Sequence, residues 1–193
     1  IMVMTDAFTK YAELAVLTNK RQETVAQAFL DRWVCRFTCP EVVISDQGKE
    51  FLNEVVDILF GKLGIEHRTT SAMRPQTNAA AEKFNREIIR YLKTALQGQT
   101  LDWEDWIPML MISYNTQVHK ATLNSPFFLT FLHDPRLPYF DMRAARPDYG
   151  ESWPTEAFQR LKKAYGMAKE RMEQQRAEMK ARYDQGARMR PFR

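Results

Sequence analysis

The sequence predicts an α/β domain followed by a long carboxyl-terminal helix. Three observations carry that reading. Short runs suited to strands, at Met2 to Met4, Tyr11 to Leu17, Glu41 to Ser45 and Ile65 to Thr70, interleave with segments of helical periodicity. The 193 residues are 45% hydrophobic, enough for one real core plus an appendage. From Phe158 onward, apolar residues recur at alternating spacings of three and four, the mark of a helix with a seam.

Taken in order, Met2 to Met4 and Tyr11 to Leu17 read as antiparallel strands joined by a turn near Thr5 to Lys10, with Ala12, Leu14 and Val16 or their alternates inward. Thr24 to Phe37 places Val25, Ala28, Phe29, Trp33 and Phe37 on one helical face and ends before Pro40, which cannot continue a helix. Glu41 to Ser45 is a β-branched run ending at Asp46-Gln47-Gly48, so Asp46 should project from the carboxyl end of a buried strand. Phe51 to Leu63 reads as a helix stopped by Gly64, and Ile65 to Thr70 as a strand leading into the loop Ser71 to Asn78. From Ala79, strong helix formers follow, with Phe84 and Ile88 on a buried face and Glu82, Asn85, Arg86 and Ile89 on another. Trp103 to Tyr114 is expected to be helical with Trp106, Leu110 and Tyr114 inward, and Arg146 to Pro154 to be a linker. The final helix carries its seam at Phe158, Leu161, Tyr165, Ala168, Met172, Gln175 and Met179. Such a stripe must pack on the core or on another subunit. The expected division is a core at 1–145, a linker at 146–155 and a basic helix at 156–186.

Composition narrows the functional classes. No apolar run approaches the roughly 18 residues needed to cross a bilayer, and the start lacks the pattern of a signal peptide, so a soluble intracellular chain is expected. Cys35 and Cys39 have neither a second pair nor a nearby His for zinc, and are read as reduced and structural. From Glu156 to Arg193 there are 11 Lys and Arg against 5 Asp and Glu, leaving 17 against 19 elsewhere, so the basic excess lies entirely in the tail. A basic helix is usually a solvated face, but it also suits contact with phosphates. His67, His119 and His133 are expected to be satisfied or exposed, since no Ser or Cys accompanies them in a nucleophilic pattern.

The chemistry points to two acids separated by thirty-five residues, Asp46 in SDQGKEF and Glu82 in PQTNAAAEKFNREI. One sits at a strand tip before a Gly turn and the other opens a helix. Two carboxylates brought together from separate elements suit hard divalent cations, and Asn85 and Arg86 on the helix edge beside Glu82 suit phosphate.

That spacing, both flanks and the order of the elements resemble the catalytic core of retroviral and long-terminal-repeat retrotransposon integrases, the gypsy-type branch above all, from about Ile1 to Pro138. The resemblance implies an RNase H-like mixed sheet flanked by helices, with a linker helix beyond it. It implies metal-dependent trimming of element ends and their transfer into target DNA, using two Mg2+ or Mn2+ ions about 4 Å apart. Asp46 and Glu82 would be the catalytic, metal-binding acids of a three-carboxylate DDE set. Gln76, Asn78, Asn85 and Arg86 would hold terminal nucleotides, and Lys49 would approach target phosphate. The family's first acid lies on an opening strand, whereas this sequence starts at what looks like the second, so the first ligand is expected upstream of Ile1 and the chain by itself is expected to be inactive. Asp6, forty positions before Asp46, is the alternative third ligand.

The implied partners are element-end DNA and target DNA, with a homo-multimer, dimer or tetramer, paired partly through the Trp103 to Tyr114 helix. No membrane partner is implied, and the implied location is the nucleus after a cytoplasmic particle stage. The other readings are a non-catalytic DNA-binding or multimer-scaffold module derived from such a core, and a related DDE transposase.

Overall fold

The computed structural model describes residues 1–70, 86, 88–90, 103–136 and 153–186. Contacts divide the chain into two compact units, Ile1–Thr5 with Ala12–Ile112, and Asp6–Tyr11 with Ser113–Arg193.

In the first unit, β1 (Met2–Thr5) and β2 (Ala12–Ala15) pair antiparallel, with Met2 opposite Ala15 and Thr5 opposite Ala12. Met2 and Met4 alternate into the core as period-two geometry requires. All four residues of β2 are buried, Glu13 included, while Val16 lies beyond the strand and is exposed. The expected alternation around Ala12, Leu14 and Val16 therefore describes only half of this strand. Glu13 and Ala15 share the face that packs with Met4 and Met2, where Arg36 places Nη1 3.1 Å from Glu13 Oε1, and Met111 Sδ accepts the Leu14 amide hydrogen at 3.3 Å.

The helix after β2 begins as α1 (Gln22–Phe29), passes through a π-helical turn (Leu30–Val34) and closes as α2 (Cys35–Phe37). Val25 and Phe29 are its buried anchors. β3 (Val42–Ser45), α3 (Glu54–Leu63) and β4 (Glu66–Thr69) follow, and β3 pairs with β4 in parallel, Val43 opposite His67 and Ser45 opposite Thr69. A parallel pair needs a crossover, and α3 supplies it. This helix starts later than the sequence suggested because Asn53 caps it, its side chain accepting the Val56 amide hydrogen at 3.0 Å. It ends where expected, at Gly64 in the left-handed conformation (φ 67°). Asn53→Ala is expected to lower stability by about 1 kcal/mol, read as an earlier urea midpoint with an unchanged slope.

The core of this unit gathers Met2, Met4, Ala15, Val25, Phe29, Val56, Phe60 and Ile65. Phe29 and Phe60 meet edge to face at 5.3 Å between ring centroids. Among the described residues β1 pairs only with β2 and β3 only with β4, so each keeps one open edge. On the helical residues 86 and 88–90, Ile88 is buried while Arg86 and Ile89 are exposed, matching the two faces read from the periodicity.

A 3₁₀ turn (Trp103–Trp106) leads into α4 (Ile107–Thr116). Leu110 is buried as expected, but Trp106 is 39% exposed and Ile107 takes the inward place. The tighter three-residue period of the 3₁₀ turn shifts the helical phase by one position.

The second unit contains the Asp6–Tyr11 turn, α5 (Pro126–Phe131) and α6 (Trp153–Gly186). Ser125 caps α5 by accepting the Phe128 amide hydrogen at 3.1 Å. Phe128 and Leu129 pack on Ala164 and Ala168, with Phe8 of the turn alongside. Tyr165 donates its hydroxyl to Leu129 O at 2.9 Å and meets the Phe8 ring at 4.8 Å. The helix contact thus falls on small residues, which allow close approach, while the seam residues Phe158 and Met179 stay exposed. Residues 137–152, which hold most of the expected linker, lie outside the described residues.

Candidate functional site

The strand-tip acid follows its strand as the sequence put it, although β3 is half-buried and not the buried strand expected. Along β3 the side chains alternate: Val43 packs on the core and Ile44 is 55% exposed. Asp46 follows directly and is exposed. Its Oδ1 accepts the Gly48 amide hydrogen at 3.1 Å, closing a turn on itself and leaving Oδ2 available to a cation. The turn is tied to the neighbouring strand, since the Thr70 amide donates to Ser45 O at 2.9 Å and Gln47 Nε2 donates to Thr70 O at 3.1 Å. Phe51 and Leu52 amides then donate to Gly48 O, turning the chain toward α3.

Glycine at position 48 lets two carboxylates crowd the turn, and a larger residue would make those flexible side-chain ends shift. A methyl there would lie 3.0 Å from Asp46 Oδ1 and 2.9 Å from Glu50 Oε2, closer than real Cβ contacts allow. The same geometry reveals Glu50 as a second carboxylate beside the Asp46 turn, which the sequence reading did not single out. Lys49, the expected target-phosphate residue, is exposed in this turn, and Arg86 is exposed on its helix. Glu82, Gln76, Asn78 and Asn85 lie outside the described residues, so the pairing of Glu82 with Asp46 stays an expectation.

Asp6 is engaged elsewhere. Its Oδ1 accepts from the Thr9 amide at 2.6 Å, the Thr9 hydroxyl at 2.7 Å and the Phe8 amide at 3.1 Å, and its backbone amide donates to Tyr11 O. This is a turn-closing carboxylate, held by three donors of its own loop. Burial of Lys10 in the same turn lowers its pKa, Asp6 opposes that shift, and Arg176 adds to it. The Tyr165 hydroxyl is pushed up, first by burial and then by the charge of Asp6. Among the described residues no group of three or more His, Cys, Asp or Glu side chains is placed to hold a metal ion.

One constellation was not legible in the sequence. Ser45 Oγ lies 2.9 Å from His67 Nε2 and 2.9 Å from Asp46 O, while His67 Nδ1 faces Asp57 Oδ1 at 3.8 Å. The parallel register of β3 and β4 puts Ser45 and His67 on one face as diagonal neighbours. The trio is not a nucleophile relay. Asp57 is too far from Nδ1 for a hydrogen bond and is largely exposed, and the Ser45 hydroxyl is directed at a backbone carbonyl.

Residues 1–75 match the family model described as the integrase core domain. Over 179 residues the chain is 26% identical to the retrovirus-related Pol polyprotein from transposon 412 of Drosophila melanogaster, covering 91% of this chain and 14% of that protein. Over 138 residues it is 27% identical to the transposon Tf2-3 polyprotein of Schizosaccharomyces pombe, covering 71% of this chain and 10% of that one. The chain therefore spans a small part of the length of these relatives.

Among solved structures, the HTLV-2 integrase catalytic core domain, determined with magnesium, superposes with a TM-score of 0.56 at 18% identity over 66% of this chain and 82% of that one. A chain of the simian T-cell lymphotropic virus intasome in complex with PP2A regulatory subunit B56 gamma gives 0.61 at 18% identity over 75% of this chain and 51% of that one. The fold is thus that of an integrase catalytic core, the RNase H-like mixed arrangement of strands and helices. The chain is thus similar to integrase cores in its first 75 residues and in its fold, and to retrotransposon polyproteins over most of its length.

Proposed function

We propose that the chain is the greater part of a catalytic core that trims the ends of a retrotransposon or retrovirus-type element and joins them to target DNA. The observation that carries this reading is the exposed Asp46 carboxylate, fixed at the tip of β3 by Gly48 in a chain with the integrase-core fold. Divalent magnesium or manganese, two ions per site, would activate the attacking water or 3′-hydroxyl and stabilise the leaving oxygen. Asp46 and Glu82 would hold these ions, and the donor chemistry fits, since Asp46 offers a carboxylate oxygen to solvent.

The third carboxylate would come from a strand upstream of Ile1. Two features support that placement: Asp6 already spends Oδ1 on three donors of its own turn, and among the described residues β1 and β3 each keep an open edge. Lys49 and Arg86, both exposed, would neutralise phosphate, and Gln76, Asn78 and Asn85 would position the terminal nucleotides. The exposed basic side chains of α6 would add sequence-independent affinity for the DNA backbone. Pairing of cores through Met109 and Ile112, 57% and 47% exposed on α4, fits the multimeric assemblies of the structural neighbours. Work on integrated DNA would take place in the nucleus, after a cytoplasmic particle stage.

The test is strand transfer of a labelled element-end duplex by the polypeptide extended upstream through the opening strand. Activity is expected with Mg2+ or Mn2+ and to be lost with EDTA and with Glu82→Gln. Joining that survives Glu82→Gln would sink the enzymatic reading in favour of a DNA-binding or scaffold module.

A further inference from the structure

We propose that Ser45 and His67 form a latch that sets the position of the Asp46 carboxylate, so that both are positioning residues for the divalent cation. The inference rests on Asp46 being a metal ligand. Hydrogen-bond chemistry fixes the direction of the latch. Asp46 O is a carbonyl and only accepts, so the single Ser45 hydroxyl proton is donated to it at 2.9 Å. Ser45 Oγ must then accept from His67 Nε2, 2.9 Å away, which places an imidazole proton on Nε2.

The ring is held by packing. His67 is 12% exposed by its side chain and meets the Phe60 ring edge to face at 5.1 Å between centroids, and Phe60 belongs to the core beneath β3 and β4. The chain of contacts therefore runs from core, to imidazole, to hydroxyl, to the peptide of the metal-binding acid. Two other ties act in parallel, the Thr70 amide to Ser45 O and the Gln47 side-chain amide to Thr70 O, and they fix the strand end. Neither engages the Asp46 carbonyl, and the Ser45 hydroxyl does. A metal site loses affinity when its ligand is present but loosely held, because the ordering cost then falls on binding.

The experiment uses the chain of residues 1–193 and NMR. Mn2+ is expected to broaden the Gln47 and Gly48 amide signals, and Asp46→Asn to remove the broadening. Ser45→Ala is expected to weaken the Mn2+ midpoint by about three- to tenfold, the worth of one hydrogen bond. Ser45→Thr, which keeps the hydroxyl, restores it. Long-range nitrogen spectra of the wild type show His67 protonated on Nε2, and Ser45→Ala speeds amide hydrogen exchange at Gly48 without metal. The latch is overturned if Ser45→Ala binds Mn2+ as the wild type does while Asp46→Asn does not. If Asp46→Asn itself leaves the broadening intact, the metal reading fails, and the latch is decided by the metal-free results: Gly48 exchange unchanged in Ser45→Ala, or a proton on Nδ1 alone, overturns it.

Discussion

Asp46→Asn is expected to lower strand transfer by about three orders of magnitude or more while leaving the fold intact, a loss typical of removing a charged group that acts only with its metal. The argument rests on the local geometry. Asp46 Oδ1 accepts the Gly48 amide hydrogen at 3.1 Å, and asparagine keeps a carbonyl oxygen at that position, so the turn survives. Exposure of the side chain means that no buried contact is lost. What disappears is one negative charge and a strong oxygen donor at the strand tip, and a hard dication answers to both. The measurement is strand transfer of an element-end duplex with Mg2+, in the upstream-extended polypeptide, beside a thermal melt of the same variant. Unchanged melting with abolished joining supports the metal role. Undiminished joining would remove Asp46 from the site, and a lowered Tm would show that the turn, not the metal, had been disturbed.

The strand tip was legible in the sequence because its signals are local. A β-branched run followed by Asp-x-Gly predicts strand, exposed acid and turn together, and the structure has Val42–Ser45, exposed Asp46 and the Gly48 turn in that order. Gly64 announced the end of α3 for the same reason. Features set by distant partners were not legible. Glu13 sits at an ordinary alternating position of β2, and only Arg36, twenty-three residues on, explains why it is buried. Ser45 and His67 meet because β3 and β4 pair in parallel at one register, and a slip by one residue would have put them on opposite faces. Trp106 was assigned inward by helical counting across a segment that begins as a 3₁₀ turn. On α6 the heptad count identified Ala168 but passed over Ala164, since Tyr165 beside it took the seam position although both alanines pack on Phe128 and Leu129.

The second large effect is expected at Arg36. The Glu13 side chain is 4% exposed, and its Oε2 is buried with no hydrogen-bond partner among the described residues, so Arg36 is the chief compensation for a charge inside the first unit. Burial raises the Glu13 pKa above the usual carboxylate value, with Arg36 and then Arg32 opposing the shift. A carboxyl whose folded value lies above its unfolded value favours the fold fully below the unfolded value and loses that contribution as pH rises through the folded one. Arg36→Met removes the main opposing influence, so the Glu13 pKa rises further and the loss grows with pH. Below about pH 4 the carboxyl is protonated in both states, and the variant should differ from the wild type only by lost packing of the Arg36 stem. Near pH 7.5 the cost is expected to reach about 1–3 kcal/mol, less than for a fully buried pair because Arg36 is 45% exposed and water screens it. That corresponds to a fall in Tm of about 2–10 °C for a chain of this size. Urea titrations at the two pH values give the comparison, and the double variant Glu13→Gln with Arg36→Met should recover most of the loss at pH 7.5, because a neutral amide no longer needs the guanidinium. Equal destabilisation of Arg36→Met at both pH values would assign the effect to packing and not to the buried charge.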